Sequence, residues 1–371
     1  MISPARTTAF DILLAVESGG YASDLLAART GALDARDAGL AHQIVMGVLR
    51  YRAQIDCLIG SRKLDAEVRT ALRMGIFQLR HLDRVPAHAA VGESVELVKR
   101  ARKRSAAGLV NAVLRRVTRD PVEWPSRAVA LSCPEWLLAR WESHYGRDAA
   151  EAIARAALEE PQMYVRAPEG GEGLEETGVP GCFRAPDGNA RGHRIQDIGS
   201  QSIVPLLRLH PGQRFLDLCA APGGKTAQAL ESGVSAVACD LHRHRLENVR
   251  GMGAALVQLD GTRPLPFRAG FDRILVDAPC SGTGTLARNP EIKWRLTPSD
   301  FVDLQRRQRS MLAHAQALLA PGGRLVYSTC SLEPEENQEV AGQPALVRLP
   351  GRDAGDGFYA AVLESGLPAN G

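Results

Sequence analysis

The sequence predicts a multidomain protein in which an all-α N-terminal domain precedes an α/β domain with a mostly parallel sheet. In the first 120 residues, apolar side chains recur three and four positions apart, as on amphipathic helices. Later in the chain, short uninterrupted apolar runs alternate with helix-like segments, as in a parallel sheet with crossover helices. Because 371 residues suffice for roughly two to three domains, we expect domains at residues 1–125, 126–200 and 201–371.

The N-terminal region combines helical periodicity with positive charge. Helical spacing is clearest in Ala9–Leu14, Leu40–Leu49 and Leu72–Leu79, and Asp34 stands where an N-cap is expected. The first 120 residues contain 19 Lys and Arg against 12 Asp and Glu, and they include the basic run 99–104. The charge favours an RNA-contacting surface, although a set of solvated helix faces explains it nearly as well.

The middle region is predicted to be a connector. An amphipathic helix is expected within Pro134–Leu158, where Trp136 and Trp141 are expected to anchor a core. Gly170–Pro180 is rich in Gly and Glu, which predicts a loop. A further helix, Ser202–Leu209, is expected to lead into the last domain.

A strand, a glycine turn and a helix follow one another between residues 214 and 226. Phe215–Leu218 is an apolar run of the buried-strand type, Pro222–Gly224 predicts a tight turn, and helix-forming composition begins at Lys225. Such a turn lets backbone N–H groups approach a ligand at a helix N-terminus. The pattern Gly-x-Gly-x-x-Gly is absent, and Cys219 replaces the first glycine of the phosphate-loop pattern. The turn therefore favours an adenosine-containing ligand other than a nucleoside triphosphate.

Three aspartates stand at the ends of further apolar runs. Ligands of parallel sheets bind at the carboxyl ends of the strands. A single aspartate of this kind is more often an N-cap or a loop carboxylate, but three at successive strand ends, Asp240, Asp260 and Asp277, predict a nucleoside-binding rim. The predicted strands are Phe215–Leu218, Val234–Cys239, Ala254–Leu259, Arg273–Val276 and Arg324–Ser328, the last after a helix-like segment, Pro298–Leu319.

Two of the seven cysteines lie in polar loops directly after predicted strands. Cys280 and Cys330 are therefore expected at the sheet edge that carries the glycine turn, where a positively biased pocket can activate a thiol as a nucleophile. The chain has no Cys-x-x-Cys pair or histidine cluster, so no metal site is predicted. Four other cysteines are expected to be small buried apolar side chains: Cys57, Cys133, Cys182 and Cys239.

Four blocks stand out in the second half of the chain: Asp217-Leu-Cys-Ala-Ala-Pro-Gly-Gly-Lys-Thr226, Asp277-Ala-Pro-Cys-Ser-Gly-Thr-Gly284, Pro290-Glu-Ile-Lys-Trp-Arg295 and Ser328-Thr-Cys-Ser-Leu-Glu-Pro-Glu-Glu-Asn337. In this order they resemble the signature blocks of the RsmB (Fmu/Sun) family, which comprises S-adenosylmethionine-dependent 16S rRNA cytosine-5 methyltransferases. The segments around Gly47–Arg50, Val85–His88 and Val110–Arg115 are similar to the NusB-like domain at the front of the same family.

The resemblance implies a fold, a cofactor and roles for site residues. The fold would be a NusB-like all-α domain, a helical connector with a small α/β subdomain at residues 126–200, and a Rossmann-like class I methyltransferase domain. Cys330 would be the nucleophile that adds to C6 of cytosine, Cys280 would assist product release, and Asp277 would hydrogen-bond the base near N3. S-adenosyl-L-methionine would be held by the glycine turn and the aspartate rim: Cys219, Ala220, Ala221, Pro222, Gly223, Gly224, Lys225, Asp240, Asp260 and Asp277.

Three alternatives stay open at this point. The roles of Cys280 and Cys330 are exchangeable in principle, since DNA cytosine-5 enzymes, which are similar, use the cysteine of their Pro-Cys motif. The same chemistry can act on a transfer RNA or another RNA. The chain can also be a NusB-like RNA-binding assembly factor with a vestigial methyltransferase half, although an intact glycine turn and both cysteines speak against it.

Composition indicates the surroundings in which the protein works. No apolar run approaches the roughly 20 residues that a membrane-spanning helix needs, and no signal peptide is apparent. Seven cysteines suit a reducing cytoplasm. We expect a cytoplasmic monomer whose partner is RNA, small-subunit rRNA in particular, without membrane or metal; the sequence indicates no protein partner.

Overall fold

The computed structural model describes residues 2–268 and 270–365. The chain forms two compact units. The first contains the residues up to Glu159 together with Leu286–Arg295, and the second contains Glu160–Thr285 and the residues from Leu296 onward. The division at residues 125 and 200 stays a prediction.

The described helices, in chain order, are α1 (Pro4–Glu17), α2 (Ala22–Thr30), α3 (Ala35–Arg50), α4 (Arg52–Ile59), α5 (Ala66–His81), α6 (Ala87–Arg100), α7 (Ala107–Leu114), α8 (Arg127–Ala130), α9 (Glu135–Tyr145), α10 (Arg147–Ala156), α11 (Ile198–Gln201), α12 (Gly224–Leu230), α13 (Arg243–Leu246), α14 (Ile292–Arg295), α15 (Pro298–Gln316) and α16 (Gln338–Ala341). The described strands are β1 (Tyr164–Arg166), β2 (Glu175–Glu176), β3 (Cys182–Arg184), β4 (Arg194–Ile195), β5 (Arg214–Asp217), β6 (Ser235–Asp240), β7 (Ala255–Gln258), β8 (Phe271–Asp277), β9 (Leu319–Thr329), β10 (Leu346–Arg348) and β11 (Phe358–Glu364).

The first unit is helical, as its apolar periodicity predicts. The three segments with helical spacing lie in α1, α3 and α5, whose buried faces share one core. Asp34 caps α3, because its side chain accepts a hydrogen bond from the backbone N–H of Asp37 at 2.7 Å. Helices α3 and α5 approach closely at Gly47, where a Cβ atom would lie 1.9 Å from the Phe77 ring. Only glycine permits this packing.

The amphipathic helix predicted within Pro134–Leu158 is two helices. Gly146, with a φ of 81°, separates α9 from α10, because a left-handed residue ends an α-helix. Trp141 is fully buried, as expected of a core anchor, whereas Trp136 is half-buried.

The segment Leu286–Arg295 belongs to the first unit although it follows the Cys280 loop along the chain. Lys293 donates from Nζ to the carbonyl of Arg50 at 3.1 Å, and Trp294 donates from Nε1 to the carbonyl of Leu49 at 2.8 Å. Both carbonyls lie at the C-terminal end of α3, where a helix leaves acceptors unpaired. Glu291 Oε1 accepts the backbone N–H of Ala22 at the start of α2, at 3.0 Å. The segment thus satisfies the ends of two helices.

Burial of Lys293 gives the first unit a measurable pH dependence. Burial, followed by the charge of Arg50, lowers the pKa of Lys293 from 10.5 to about 8, against the opposing effect of Cys133. Between these two values the unfolded chain keeps a proton that the folded chain has released. The free energy of unfolding therefore rises with pH from about 8 to about 10.5, by at most about 1.4 kcal/mol per pH unit.

Denaturant titration at successive pH values, followed by tryptophan fluorescence, measures this dependence, since all four tryptophans lie in the first unit. The matched control is Lys293→Met, which keeps the buried stem and removes the charge. Above pH 8 the free energy of unfolding of the wild type should increase relative to that of the variant. A constant difference between the two proteins across this range would contradict the expectation.

The second unit contains two sheets. The smaller sheet is antiparallel, with strand order β2-β3-β1-β4, and the larger has seven strands in the order β10-β11-β9-β8-β5-β6-β7. Within the larger sheet β9, β8, β5, β6 and β7 are parallel, while β11 and β10 pair antiparallel at one edge. The predicted α/β class with a mostly parallel sheet is confirmed.

Both faces of the larger sheet are covered. Phe215 and Leu216 are consecutive and fully buried, yet they belong to different core clusters on opposite faces of β5. This explains why the strand sequences are continuously apolar instead of alternating.

Some predicted elements have different limits in the structure. The fifth strand begins at Leu319 and includes the Pro-Gly-Gly segment 321–323, whose backbone continues the strand. The helix expected at Ser202–Leu209 is a short 3₁₀ turn, Val204–Leu207, which ends at Arg208, whose φ of 49° is left-handed. Cys57 is exposed, so its predicted burial is wrong, while Cys133, Cys182 and Cys239 are buried. Within the described residues, no helix is long and apolar enough to cross a bilayer.

Candidate active site

The glycine turn joins the end of β5 to the start of α12. Gly223 has a φ of 103°, which side chains rarely adopt, and a Cβ atom there would lie 3.0 Å from Met252. Thr226 Oγ1 donates to Asp217 Oδ2 at 2.7 Å, so a buried hydrogen bond ties the first turn of the helix to the strand. Burial raises the pKa of Asp217 to about 7. The turn is therefore held to the strand at the carboxyl edge of the sheet, and its two glycines, Gly223 and Gly224, leave their backbone uncovered by side chains.

The aspartate rim lies along the same edge. Asp240 and Asp277 are the last residues of β6 and β8, the two strands that flank β5, and Asp260 follows β7. Asp240 Oδ1 accepts the N–H of His242 at 2.9 Å. Hydrogen bonds from Thr262 lower the pKa of Asp260, which stays a carboxylate. Each of these strand ends thus places an aspartate side chain at the sheet edge that also carries the glycine turn.

Lys225 and Asp277 form an ion pair at the centre of this edge. Lys225 Nζ lies 2.6 Å from Asp277 Oδ2 and 5.2 Å from the centre of the Phe358 ring. Burial acts to lower the pKa of Lys225, but the charge and hydrogen bond of Asp277 and the charge of Cys330 outweigh it and raise the pKa. The Lys225 ammonium is therefore a permanent cation within electrostatic reach of the Cys330 sulfur. Asp277 Oδ1 accepts from Ser328 Oγ at 2.7 Å, which fixes its orientation.

The structure brings the two loop cysteines together. The Sγ atoms of Cys280 and Cys330 lie 3.4 Å apart, although the residues are 50 positions apart in the chain. The hydrogen bond with Cys330, then burial, then the charges of Cys330 and Glu336 raise the pKa of Cys280 well above its usual value. Cys280 is thus held as a protonated thiol against the sulfur of Cys330.

Three residues of this edge were not singled out from the sequence. Thr226 fastens the glycine turn, Ser328 orients Asp277, and Glu336 lies between the two cysteine loops. Each lies inside one of the four blocks, but serine, threonine and glutamate side chains carry no pattern that separates them from loop residues. Among the described residues, no group of three or more His, Cys, Asp or Glu side chains is arranged to hold a metal ion.

The chain matches two family models. Residues 204–346 match that of the 16S rRNA methyltransferase RsmB/F, and residues 3–119 match that of the NusB family. Ribosomal RNA small subunit methyltransferase B of Citrobacter koseri is 33% identical over 410 residues, which cover 94% of this chain and 95% of that relative. The protein of the same name from Erwinia tasmaniensis is also 33% identical, with the same shares covered. The chain belongs to the RsmB/F family.

Solved structures share the fold. The crystal structure of PH0851 superposes with a TM-score of 0.79 at 20% identity, and the match covers 98% of this chain and 99% of that one. NSun6 from Pyrococcus horikoshii, solved with SFG, has a TM-score of 0.53 at 19% identity, covering 62% of this chain and 98% of its own. At these identities the likeness concerns the fold alone.

Family membership makes this chain an S-adenosylmethionine-dependent RNA methyltransferase, and the predicted family, fold and cofactor are confirmed. The residues present fit the cofactor. Gly223 adds no side chain to the bend, and Asp240 and Asp260 carry side-chain oxygens of the kind that accept hydrogen bonds from hydroxyl and amino groups of a nucleoside. The roles of the individual residues stay predictions.

Proposed function

We propose that this chain methylates C5 of a cytosine in 16S rRNA through a covalent adduct between Cys330 and C6. The observation that carries the proposal is the cluster of Cys330, Cys280, Lys225 and Asp277 at the carboxyl edge of the sheet, beside the glycine turn. The rRNA substrate is supported by the names of the family model and of the curated relatives.

The residues of the cluster match what this reaction needs. C5 of cytosine is a poor nucleophile until a thiolate adds to C6 and makes C5 enamine-like. S-adenosylmethionine, when bound, supplies the methyl group that C5 then takes. The Lys225 ammonium stabilises the attacking thiolate of Cys330, and the Asp277 carboxylate accepts a hydrogen bond from the cytosine amino group beside N3. Loss of the C5 proton and of the thiolate completes the reaction.

The surroundings of the two sulfurs favour Cys330 as the nucleophile. Cys280 faces the negative charge of Glu336, which disfavours a thiolate there, whereas Cys330 lies within reach of the Lys225 cation. The protonated Cys280 can donate its S–H to the Cys330 thiolate at 3.4 Å. Its position suits assistance in releasing the product. The target base must be unpaired or flipped out of its stack, since C6 is otherwise inaccessible.

The basic run at residues 99–104 is largely neutralised within the first unit. Lys99 pairs with Glu96, Arg100 with Asp11 and Lys103 with Asp65 in a set of exposed or half-exposed ion pairs. Arg102 and Arg104 are exposed, and among the described residues no ion pair or hydrogen bond engages their side chains. We infer that RNA contact by this run is limited to these two arginines.

Replacing Arg102 and Arg104 together by alanine should weaken RNA affinity and flatten its salt dependence. Each lost phosphate contact lowers the slope of log K against log salt by about 1, so a change of about 2 is expected. Filter-binding titrations at several salt concentrations measure it. Arg100→Ala is the control, because its charge is already paired with Asp11. If log K falls with log salt at the same slope in the wild type and the double variant, the run 99–104 does not contact RNA.

Two measurements test the proposed function. Calorimetry with S-adenosylmethionine should show binding by the wild type and weaker binding by Gly223→Ala, whose added Cβ strains the bend. Bisulfite mapping of RNA from a strain lacking the protein should show one 16S rRNA cytosine that has lost its methyl group. A lost methyl group in a transfer RNA would redirect the proposal to that substrate, and cofactor binding without any lost 5-methylcytosine would refute cytosine-5 chemistry.

A further inference from the structure

A buried carboxylate lies between the two cysteine loops. Glu336 is fully buried, and its side chain accepts four hydrogen bonds. Oε1 accepts from the hydroxyls of Ser281 and Ser331, the latter at 2.6 Å. Oε2 accepts from the backbone N–H of Ser281 at 2.8 Å and from Nε2 of Gln308 at 2.9 Å. Every lone-pair direction of this carboxylate is used, as a buried charge requires.

These bonds fix the cysteines through their immediate neighbours. Ser281 follows Cys280 and Ser331 follows Cys330, and the two serine hydroxyls also lie 3.0 Å apart. One carboxylate therefore clamps two loops that are 50 residues apart in the chain. The clamp is itself anchored, because the hydroxyl of Tyr327 donates to the backbone carbonyl of Glu336 at 2.7 Å. The four bonds to the Glu336 carboxylate are charge-assisted, which is the stronger class of hydrogen bond.

We propose that Glu336 is a positioning residue that sets the distance between the sulfurs of Cys280 and Cys330. Without it, the N–H of Ser281 loses its acceptor, and the amide of Gln308 keeps only the carbonyl of Pro279. The two loops then lose the carboxylate that holds the residues directly after both cysteines. The Cys280 thiol then moves away from the adduct at Cys330 and no longer assists release. The catalytic consequence rests on the proposed function, whereas the geometric claim does not.

Disulfide formation measures the geometry independently of methylation. Diamide accepts two electrons and two protons from a pair of thiols, which become a disulfide while diamide becomes a hydrazine. Sulfurs held 3.4 Å apart should oxidise rapidly in the wild type. In Glu336→Ala we expect the Cys280–Cys330 peptide pair, quantified by mass spectrometry, to form at least about tenfold more slowly. Glu336→Gln keeps the shape and should fall between the two.

The matched control is Glu339→Ala. Glu339 lies three residues further on, is exposed, and contacts Gln305 rather than either cysteine loop. In Glu339→Ala the Cys280–Cys330 disulfide should form at the wild-type rate. If the alanine variant of Glu336 does not fold, the glutamine variant takes its place, because it still fills the site but is uncharged and offers one acceptor oxygen where the carboxylate offers two.

Steady-state kinetics test the catalytic consequence. Glu336→Gln should lower kcat about tenfold or more, leave the KM for S-adenosylmethionine unchanged and accumulate a covalent RNA adduct, as expected for loss of assistance by Cys280. Disulfide formation at the wild-type rate in both Glu336 variants would overturn the proposal. Slow disulfide formation together with a wild-type protein that does not methylate cytosine would leave the clamp standing and refute the proposed function instead.

Discussion

Cys330→Ala should abolish methyl transfer, whereas Cys280→Ala should stall the enzyme after it. Without the Cys330 thiolate nothing adds to C6, so we expect kcat to fall by about 10⁴-fold or more, the scale seen when catalytic nucleophiles are removed. RNA affinity should change little, because only one half-buried thiol group is lost. Cys280→Ala should still form the adduct but release it slowly.

Denaturing gel electrophoresis with labelled RNA distinguishes the two variants. We expect a stable protein–RNA band with Cys280→Ala and no such band with Cys330→Ala. Single-turnover transfer of labelled methyl groups gives the second reading, since Cys280→Ala should complete about one turnover. A stable adduct in Cys330→Ala, with none in Cys280→Ala, would exchange the two roles and assign the nucleophile to the loop after β8.

Lys225→Met should lower kcat by about 10²-fold or more. The variant removes the only cation that the structure places against both Asp277 and Cys330 within the described residues of this edge. Electrostatic stabilisation by one preorganised donor is typically worth about 10²–10³-fold in rate. The methionine keeps the length and burial of the side chain, so the loss reports on the charge.

A direct readout is the alkylation rate of Cys330 by iodoacetamide at neutral pH, measured on the Cys330 peptide. It should fall in Lys225→Met because the thiolate loses its neighbouring cation. Lys225→Arg serves as the control, since it keeps the charge and should recover part of the rate. Equal alkylation rates in the wild type and Lys225→Met would show that Lys225 serves the cofactor turn alone.

Local sequence patterns were sufficient to predict most helices and strands and to select the candidate residues of the active site. The helices α1, α3 and α5 follow from apolar spacing, and the strands β5, β6 and β8 from uninterrupted apolar runs within one or two residues of their limits. The limits failed where one residue changes the backbone. Gly146 divides a helix whose amphipathic pattern continues across it, and the left-handed residue Arg208 ends the short helical turn before β5.

The partners of charged side chains could not be predicted from the sequence. The basic run 99–104 has the composition of an RNA-binding stripe, but Glu96, Asp11 and Asp65 neutralise three of its members. Two of those acids lie more than 30 residues away along the chain, on other elements. Likewise, nothing in the block around Lys293 indicates that it enters the helical unit and caps α3.

The sequence by itself determined the periodicity of the helices, the burial of the parallel strands, the position of the glycine bend and the residue types of the site. These features depend on local backbone conformation and on which faces of the helices and strands are apolar and must be buried. Only the tertiary structure decided that the sulfur atoms of Cys280 and Cys330 are in contact. It also decided that Lys225 pairs with Asp277 and that Glu336 joins the two cysteine loops. These contacts follow from the strand order β9-β8-β5. This order places the ends of three strands side by side, although their residues are about 50 to 100 positions apart along the chain.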